Sequence, residues 1–226
     1  MLRFLDSDAL DREPDLRDSM FRDRACQFRD RLGWEVSVDA TGHERDAYDD
    51  CAPLYVIWQG RDGRHAGSMR FLPTLGRTML NDHFANLNGG RPLRHPRIWE
   101  CTRFCIARDA GPETAALVML GGAELGRGFG LSHAAGVFDA RMVRIYHRLG
   151  WEPAVLGRAG CGAGAISLGL WAFGAPVADR LATRACLPPG QARRWFETAF
   201  GADRAPAHSP APAPAPAPAR ALGRAV

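Results

Sequence analysis

The sequence contains no lysine, so its 29 lysine-plus-arginine residues are all arginine. This absence excludes a P-loop lysine, a Schiff-base lysine and an ammonium general base. The net charge of +4 is modest, and no helix-turn-helix, zinc-finger or RNA-binding motif accompanies the arginines. We therefore expect no nucleic-acid partner, although a mildly positive surface suits an acidic protein partner.

Long apolar runs and paired cysteines are missing as well. No apolar stretch reaches the roughly 18 residues that span a bilayer, so stable membrane insertion is not expected. The first residues, 1–6, lack the basic and then apolar pattern of a secretory signal peptide, which favours a cytoplasmic location. The six cysteines form no C-x-x-C pair, which disfavours a zinc site or a disulfide framework.

The 226 residues suit one domain with a sizeable core, and 46% of them are hydrophobic. We expect this domain to cover residues 1–203. Residues 204–226 are dominated by Pro-Ala repeats without hydrophobic periodicity, which predicts a disordered extension.

Apolar periodicity predicts a mixed fold. The predicted helices cover residues 15–32, 79–87, 113–125, 139–148, 176–185 and 190–200. The predicted strands cover residues 35–38, 54–58, 66–72, 98–107, 129–137, 151–156 and 165–173. Strands dominate the first half and helices alternate with strands in the second, which favours an α/β or α+β sandwich around one sheet.

An acidic cluster, formed by Glu44, Asp46 and Asp49, follows the first predicted helix. Three carboxylates this close repel one another unless a cation lies among them. That cation could be a metal ion, because hard cations prefer oxygen ligands, or the ammonium group of a substrate. A solvated acidic loop is the third possibility.

Aromatic and basic side chains surround this cluster in the sequence. Phe28 and Trp34 could hold a cation against their ring faces, or simply pack in the core. Arg70 and Arg103 fall in predicted strands, where an arginine is costly unless it is paired or faces a cleft. Strict alternation places Glu100 and Arg103 on opposite faces of their strand, unless a β-bulge brings them together.

Two further patterns are weaker. Arg141, Arg144 and Arg148 follow i, i+3, i+7 spacing, which predicts a basic stripe that is either a solvated helix face or a docking surface. His133 and His147 lack a serine or cysteine in a recognisable nucleophile motif, which disfavours a hydrolase triad.

The order and spacing of these motifs resemble the acyl-homoserine lactone synthases, the LuxI-type autoinducer synthases of quorum sensing. The resemblance extends over residues 17–151. Its densest motifs are Arg24-Ala25-Cys26-Gln27-Phe28, Arg31-Leu32-Gly33-Trp34, Glu44-Arg45-Asp46-Ala47-Tyr48-Asp49, Gly67-Ser68-Met69-Arg70-Phe71-Leu72-Pro73-Thr74 and Trp99-Glu100-Cys101-Thr102-Arg103-Phe104. The resemblance implies an α/β (α+β) three-layer sandwich like that of the N-acetyltransferases, with a twisted mixed sheet, helices on both faces and a V-shaped cleft.

It also implies a reaction between S-adenosylmethionine and a fatty acyl thioester on acyl carrier protein. The methionine amine attacks the thioester carbonyl, and the methionine carboxylate then attacks its own γ-carbon and expels 5′-methylthioadenosine. S-adenosylmethionine is a substrate here, so neither a metal nor a cofactor is expected.

The resemblance further assigns roles to individual residues. Asp46 and Asp49 are expected at the cationic part of S-adenosylmethionine, and Arg24 and Arg103 at its carboxylate or in support of the pocket. Phe28 and Trp34 form its walls, Glu44 and Arg70 add ion pairs, and Phe84 shapes the cleft. The residues expected to take part directly in catalysis are Asp46, Arg70, Glu100 and Arg103, with Glu100 as the candidate general base.

The second half of the chain is expected to form the acyl tunnel. Its candidate lining residues are Thr102, Met119, Val137, Leu149, Leu168 and Trp171. The stripe of Arg141, Arg144 and Arg148 is the candidate docking site for acyl carrier protein. Two alternatives stay open: an N-acyltransferase of the same fold that uses acyl-coenzyme A, and a non-catalytic arginine-rich binding protein.

Overall fold

The computed structural model describes residues 1–201. The strands are β1 (Leu2–Asp6), β2 (Leu54–Gln59), β3 (His65–Pro73), β4 (Ile98–Ile106), β5 (His133–Asp139), β6 (Ala154–Ala159) and β7 (Ile166–Ala172). The α-helices are α1 (Ser7–Asp11), α2 (Pro14–Ala25), α3 (Met79–His83), α4 (Thr114–Gly128), α5 (Met142–Leu149), α6 (Ala175–Arg184) and α7 (Gln191–Phe200). A π-helical turn, Cys26–Arg31, continues α2, and short 3-10 turns lie at Ala85–Asn88 and Gly162–Gly164. The expected domain end at 203 and the extension over 204–226 lie outside the described residues.

All seven strands form one mixed sheet in the order β1-β2-β3-β4-β5-β7-β6. The first four strands pair antiparallel with their neighbours. Strands β4 and β5 pair in parallel through residues 98–100 and 133–135, and within the described chain this ladder goes no further. Beyond it, residues of both strands line a common cavity. The two strands therefore separate into the V-shaped cleft that positions the site.

Helices cover both faces of this sheet, because alternate strand residues point to opposite sides. On one face, Val56 and Met69 pack in the main core with residues of α4. Helix α4 lies so close to the sheet that a Cβ on Gly121 would stand 2.4 Å from Val56 Cγ1. On the other face, Tyr55 and Ile57 pack in a second core with residues of α1 and α2. This arrangement confirms the predicted three-layer sandwich.

Three sequence-based expectations differ from the structure. Residues 35–38 form no strand and contribute one isolated bridge, between Val38 and Glu44, because no neighbouring strand edge accompanies them. Strand β1 was not predicted, because five residues carry too little periodicity to identify a strand that pairs with β2. Strand β5 begins at His133 rather than residue 129, because the turn after α4 bends through Gly130 at φ +62°.

Candidate active site

A β-bulge in β4 brings the site together. Thr102 pairs with Arg70, and Cys105 pairs with Ser68, so β4 has one residue more than β3 over this stretch. Arg103 occupies the extra position in the left-handed region at φ +54°, an uncommon conformation for a residue other than glycine. The bulge turns the Arg103 side chain to the face of the sheet that carries Arg70, which settles the alternative that alternation left open.

Three guanidiniums and three carboxylates meet on this face. We call them the charge network, and its members are Arg24, Glu44, Asp46, Asp49, Arg70 and Arg103. The side chains of Arg24, Glu44, Asp49 and Arg70 are at most 1% exposed. Opposite charges alternate through the network, so its formal charge is zero. Such pairing is what makes ionised groups tolerable in a protein interior.

Each of the three guanidinium nitrogens of Arg24, on α2, donates a hydrogen bond inside the network. Its Nε donates to Glu44 Oε2 at 2.6 Å, while Nη1 and Nη2 donate to the two oxygens of Asp49 at 2.9 Å each. Asp49 also accepts from the hydroxyl of Tyr55 and from the backbone amide of Asp46. Burial by itself would raise the pKa of Asp49, but the guanidiniums of Arg24 and Arg70 outweigh it and hold that pKa well below its usual range. Both side chains are buried and do not line the cavity, so Arg24 and Asp49 support the site from within the network.

Arg70 and Arg103 hold the other side of the network. Arg70 donates to both oxygens of Asp46, at 2.6 and 3.1 Å, and to Thr102 Oγ1 at 3.2 Å. Arg103 Nη2 lies 2.9 Å from Glu44 Oε1 and 2.7 Å from Asp46 Oδ2. Burial tends to raise the pKa of Asp46, but the two arginines outweigh it and keep that pKa lowered. With its side chain 20% exposed, Asp46 is the most open carboxylate of the network.

An aromatic pair flanks Arg103. The rings of Phe28 and Trp34 stack with centroids 5.2 Å apart, and the Arg103 guanidinium carbon lies 5.3 Å from the Phe28 centroid. Phe28 is buried in the π-helical turn, whereas Trp34 is 43% exposed. Arg103 Nη1 points towards Met79 Sδ at 3.9 Å, a weak acceptor. Arg103 therefore keeps donor capacity for an anionic ligand beside an aromatic face.

Glu100 lies on the same face, one strand repeat before Thr102. Its Oε2 accepts from the backbone amide of Met79 at 3.1 Å, and its Oε1 accepts from that of Leu80. Burial raises the pKa of Glu100 to about 7, even though these amides and Arg70 favour the charged form. The carboxyl group therefore holds the start of α3, and with it Met79, next to Arg103.

An apolar cavity of about 270 Å³ opens between β4 and β5. Arg103 is the member of the charge network that lines it, together with Phe28 and Trp34. Its deep end is buried and lined by Met69, Phe71, Met119, Ala134, Phe138, Tyr146, Trp151 and Trp171. The cavity thus has a charged, aromatic side at one end and a closed apolar end.

The expected acyl-lining residues divide between the inside and the outside of this cavity. Thr102, Met119, Val137 and Trp171 line it. Leu149 does not line it and packs against both the main core and the cluster formed by Ala116, Leu117 and Ala185. Leu168 and Phe84 belong to a separate cluster around Leu80 and Leu87. Leu149, Leu168 and Phe84 therefore lie outside the cavity.

One arginine of the predicted basic stripe forms an ion pair with a neighbouring aspartate. Arg141 precedes α5, lines the cavity and forms an ion pair with Asp139 at 2.6 Å. Arg144 and Arg148 are exposed on α5. Arg141 therefore differs from the other two arginines of the stripe, because strand β5 ends in an aspartate beside it.

A serine–histidine–aspartate array occurs where the sequence did not indicate one. His65 Nδ1 lies 2.7 Å from Asp23 Oδ2, and its Nε2 lies 2.9 Å from Ser68 Oγ. Ser68 is 2% exposed and does not line the cavity between β4 and β5, so it cannot serve there as a nucleophile. Burial, opposed by Asp23, lowers the pKa of His65. The array ties α2 to β3 close to Arg24 and Arg70.

The acidic cluster is neutralised by arginines and is not a solvated loop. Guanidiniums pair with all three carboxylates, and of the three Asp46 alone is partly exposed. Among residues 1–201, no group of three or more histidine, cysteine or acidic side chains is placed to hold a metal ion.

In the same residues, no helix is long and apolar enough to cross a membrane.

Comparisons with known proteins identify the family of this chain. The family described as autoinducer synthase matches residues 8–168. An acyl-homoserine-lactone synthase of Rhizobium etli is 40% identical over 178 residues, which cover 76% of this chain and 84% of that protein. The chain therefore belongs to the autoinducer synthase family, as an acyltransferase of the acyl-homoserine-lactone synthase type.

Solved structures confirm the fold. A CoA-dependent acyl-homoserine lactone synthase, MesI, superposes with a TM-score of 0.74 at 23% identity, covering 83% of this chain and 96% of that one. A second, BjaI with SAM and isopentyl-CoA, gives 0.72 at 23% identity, covering 83% and 90%. A putative N-acetyltransferase from Lactobacillus plantarum gives 0.51 at 12% identity, covering 76% and 98%. The expectation of an N-acetyltransferase-like sheet is confirmed.

Removing one guanidinium from the network should destabilise the whole domain. Arg24→Met leaves Glu44 and Asp49 buried without their principal partner, and we expect the free energy of unfolding to fall by about 3–5 kcal/mol. Urea unfolding followed by circular dichroism measures this change. Arg61→Met, in the exposed loop between β2 and β3, is the matched control and should shift stability by less than about 0.5 kcal/mol. Equal midpoints for the two variants would contradict a network that supports the fold.

Proposed function

We propose that this protein makes an acyl-homoserine lactone from S-adenosylmethionine and a fatty acyl thioester on acyl carrier protein, with release of 5′-methylthioadenosine. The observation that carries the proposal is the junction at Arg103, where the charge network and an aromatic pair meet a closed apolar cavity. The solved structure of similar fold that contains SAM and isopentyl-CoA supports SAM and an acyl thioester as ligands. We also propose that the reaction takes place in the cytoplasm, where S-adenosylmethionine and acyl carrier protein are made.

The charged end suits S-adenosylmethionine, which carries an ammonium, a carboxylate and a sulfonium. Arg103 Nη1, with only a thioether as its neighbour in the described contacts, is our choice for the substrate carboxylate. Asp46 is our choice for the ammonium, because it is the most exposed carboxylate of the network. Phe28 and Trp34 offer ring faces to the sulfonium. The other members of the charge network hold these groups in position through their ion pairs; they are Arg24, Glu44, Asp49 and Arg70.

The proposed reaction has two steps that balance without an oxidant or a reductant. In the first, the substrate amine bonds to the thioester carbonyl carbon, the C–S bond breaks and the carrier leaves as a thiol. In the second, a carboxylate oxygen bonds to the γ-carbon of the same molecule, and the sulfonium leaves as the neutral thioether. The leaving groups are good ones, so the protein has mainly to position the reacting atoms.

The cleft provides a route for the thioester arm. From Cys101 onward, the side of β4 that faces β5 has no strand partner in the described chain, so backbone groups are available there. The pantetheine arm contains two amides, and it is common to acyl carrier protein and coenzyme A. We place this arm along β4, with the acyl chain in the cavity lined by Thr102, Met119, Val137 and Trp171.

Formation of a lactone by the purified protein is the direct test. Incubation with S-adenosylmethionine and a series of saturated acyl thioesters should give an acyl-homoserine lactone and an equimolar amount of 5′-methylthioadenosine, both measured by mass spectrometry. Arg103→Met should raise the KM for S-adenosylmethionine at least tenfold, because the carboxylate loses its partner. An amide product without ring closure would indicate a simple N-acyltransferase, and no product from any thioester would refute the proposal.

Glu100 is our candidate for the group that takes the proton from the substrate amine. Its pKa of about 7 suits that task, and because Glu100 is buried and does not line the cavity, we propose that the proton travels through a water molecule. The carboxylate accepts a proton only when it is ionised, so kcat should rise with pH through about 7 in the wild type. Glu100→Gln should lower kcat and remove this limb of the pH profile while S-adenosylmethionine still binds. If kcat of the variant still rises with pH through about 7, Glu100 is not the base, and its role is only to hold the start of α3.

Arg144 and Arg148 are our candidates for docking acyl carrier protein, which is acidic; Arg141 contributes less because Asp139 neutralises it. Arg144→Glu with Arg148→Glu should raise the KM for an acyl carrier thioester about tenfold, or about 1.4 kcal/mol, and leave the KM for S-adenosylmethionine unchanged. Arg61→Glu with Arg64→Glu, both exposed, makes the same charge change elsewhere. A higher kcat/KM with acyl-coenzyme A, and no effect of the first pair, would favour coenzyme A as the donor.

A further inference from the structure

Methionine is concentrated around the apolar cavity. The sequence contains six methionines, and four of them line this single cavity: Met69, Met79, Met119 and Met142. They come from β3, α3, α4 and α5, so thioethers approach the cavity from four different elements. Cys101 adds another sulfur, with its Sγ 3.6 Å from Met69 Sδ.

The methionine side chains that line the cavity can change conformation at little cost in free energy. Methionine is unbranched, has three rotatable side-chain bonds and a polarisable sulfur, and therefore repacks around ligands of different shape. Branched side chains have fewer accessible rotamers and would give a cavity of fixed outline. Met69 and Met119 are buried at the deep end, whereas Met142 is only half-buried nearer the opening. Adaptable side chains thus extend along the depth of the cavity.

The closed end has the opposite character. Phe138, Tyr146 and Trp171 contact one another edge to face, with ring centroids 4.9 to 5.4 Å apart. The indole N–H of Trp171 donates to the Trp151 carbonyl at 3.2 Å, and that of Trp151 donates to the Ala172 carbonyl at 3.0 Å. Bulky rings that are held by their neighbours and by hydrogen bonds cannot move aside as a methionine can. We call the four aromatic residues, Phe138, Tyr146, Trp151 and Trp171, the aromatic wall.

We propose that the cavity accepts acyl chains of several lengths up to a sharp limit, with the methionines as the residues that allow the range and the aromatic wall as the element that sets the limit. This inference rests on the proposed function, since it concerns the acyl substrate of the same site. In a rigid hydrophobic pocket one methylene changes kcat/KM by about 10–200-fold. In an adaptable cavity, neighbouring chain lengths should differ by less than about tenfold, until the wall is reached.

The experiment measures kcat/KM for saturated acyl thioesters from butanoyl to tetradecanoyl. For the wild type we expect at least three neighbouring even-numbered chains within about tenfold of one another, followed by a steep fall at the next longer chain. Met119→Leu with Met142→Leu keeps the side-chain volume but removes flexibility, and should leave the best chain unchanged while lowering its neighbours about tenfold further. Trp171→Phe should move the upper limit to longer chains without reducing the number of neighbouring chain lengths that are accepted.

Met20→Leu is the matched control, because Met20 is fully buried in the core beneath α2 and does not line the cavity. It should reproduce the wild-type profile, and thermal unfolding of every variant should confirm a folded protein. A wild-type profile with one dominant chain length, or a leucine pair with wild-type breadth, would overturn the inference.

Binding separates this inference from the reaction itself. Trp151 and Trp171 line the cavity, so acyl-homoserine lactones of the same chain lengths should quench tryptophan fluorescence on binding. Comparable affinities over several lengths, lost in the leucine pair, would support the adaptable cavity even if no thioester gave a product. Selective binding of one length would refute it in either case.

Discussion

The structure depends on the mutual neutralisation of six charges that are largely removed from water. A lone guanidinium or carboxylate at these positions would be too costly for a domain of this size. Each member of the charge network therefore fixes the next: Arg24 holds Glu44, and Glu44 orients Arg103. As a result Arg24, which does not line the cavity, helps to determine where the guanidinium of the cavity-lining Arg103 points. A site built in this way is rigid before any substrate arrives, which is the form of preorganisation that positional catalysis needs.

The sheet separates two chemical environments and then joins them. The charge network lies on the face covered by α2, while the deep cavity reaches the core under α4. A continuous sheet would keep a zwitterion and an acyl chain apart. The short ladder between β4 and β5 leaves an opening through the sheet, and the bulge at Arg103 lies beside it. The proposed amide formation, between the amine of a zwitterionic substrate and an apolar acyl group, needs such a junction.

Local patterns predicted most of the elements, because helices and strands of ordinary length impose their period on the sequence. The charged residues were identified as a set, but their partners were not, since pairing depends on loop 32–53 folding back over α2. The bulge has no residue signature, because Arg103 takes a conformation that glycine usually provides. Leu149 does not line the cavity, because the period of an amphipathic helix shows that a residue is on the buried side but not which neighbours it contacts there. The array at His65 joins residues 42 positions apart, a distance over which spacing carries no information.

The π-helical turn at residues 26–31 has a consequence for how this chain can change in length. Such a turn holds one residue more than an α-helical turn of the same rise, and each residue advances a helix by about 100°. Arg24 lies before the turn, Phe28 lies within it and Trp34 follows it. Loss of one residue here would restore an ordinary helix and leave the hydrophobic core almost intact. It would also rotate Trp34 away from Phe28, so a deletion that the fold tolerates would dismantle the aromatic face of the site. The number of residues in this segment therefore sets the aromatic face of the cavity without setting the architecture of the domain.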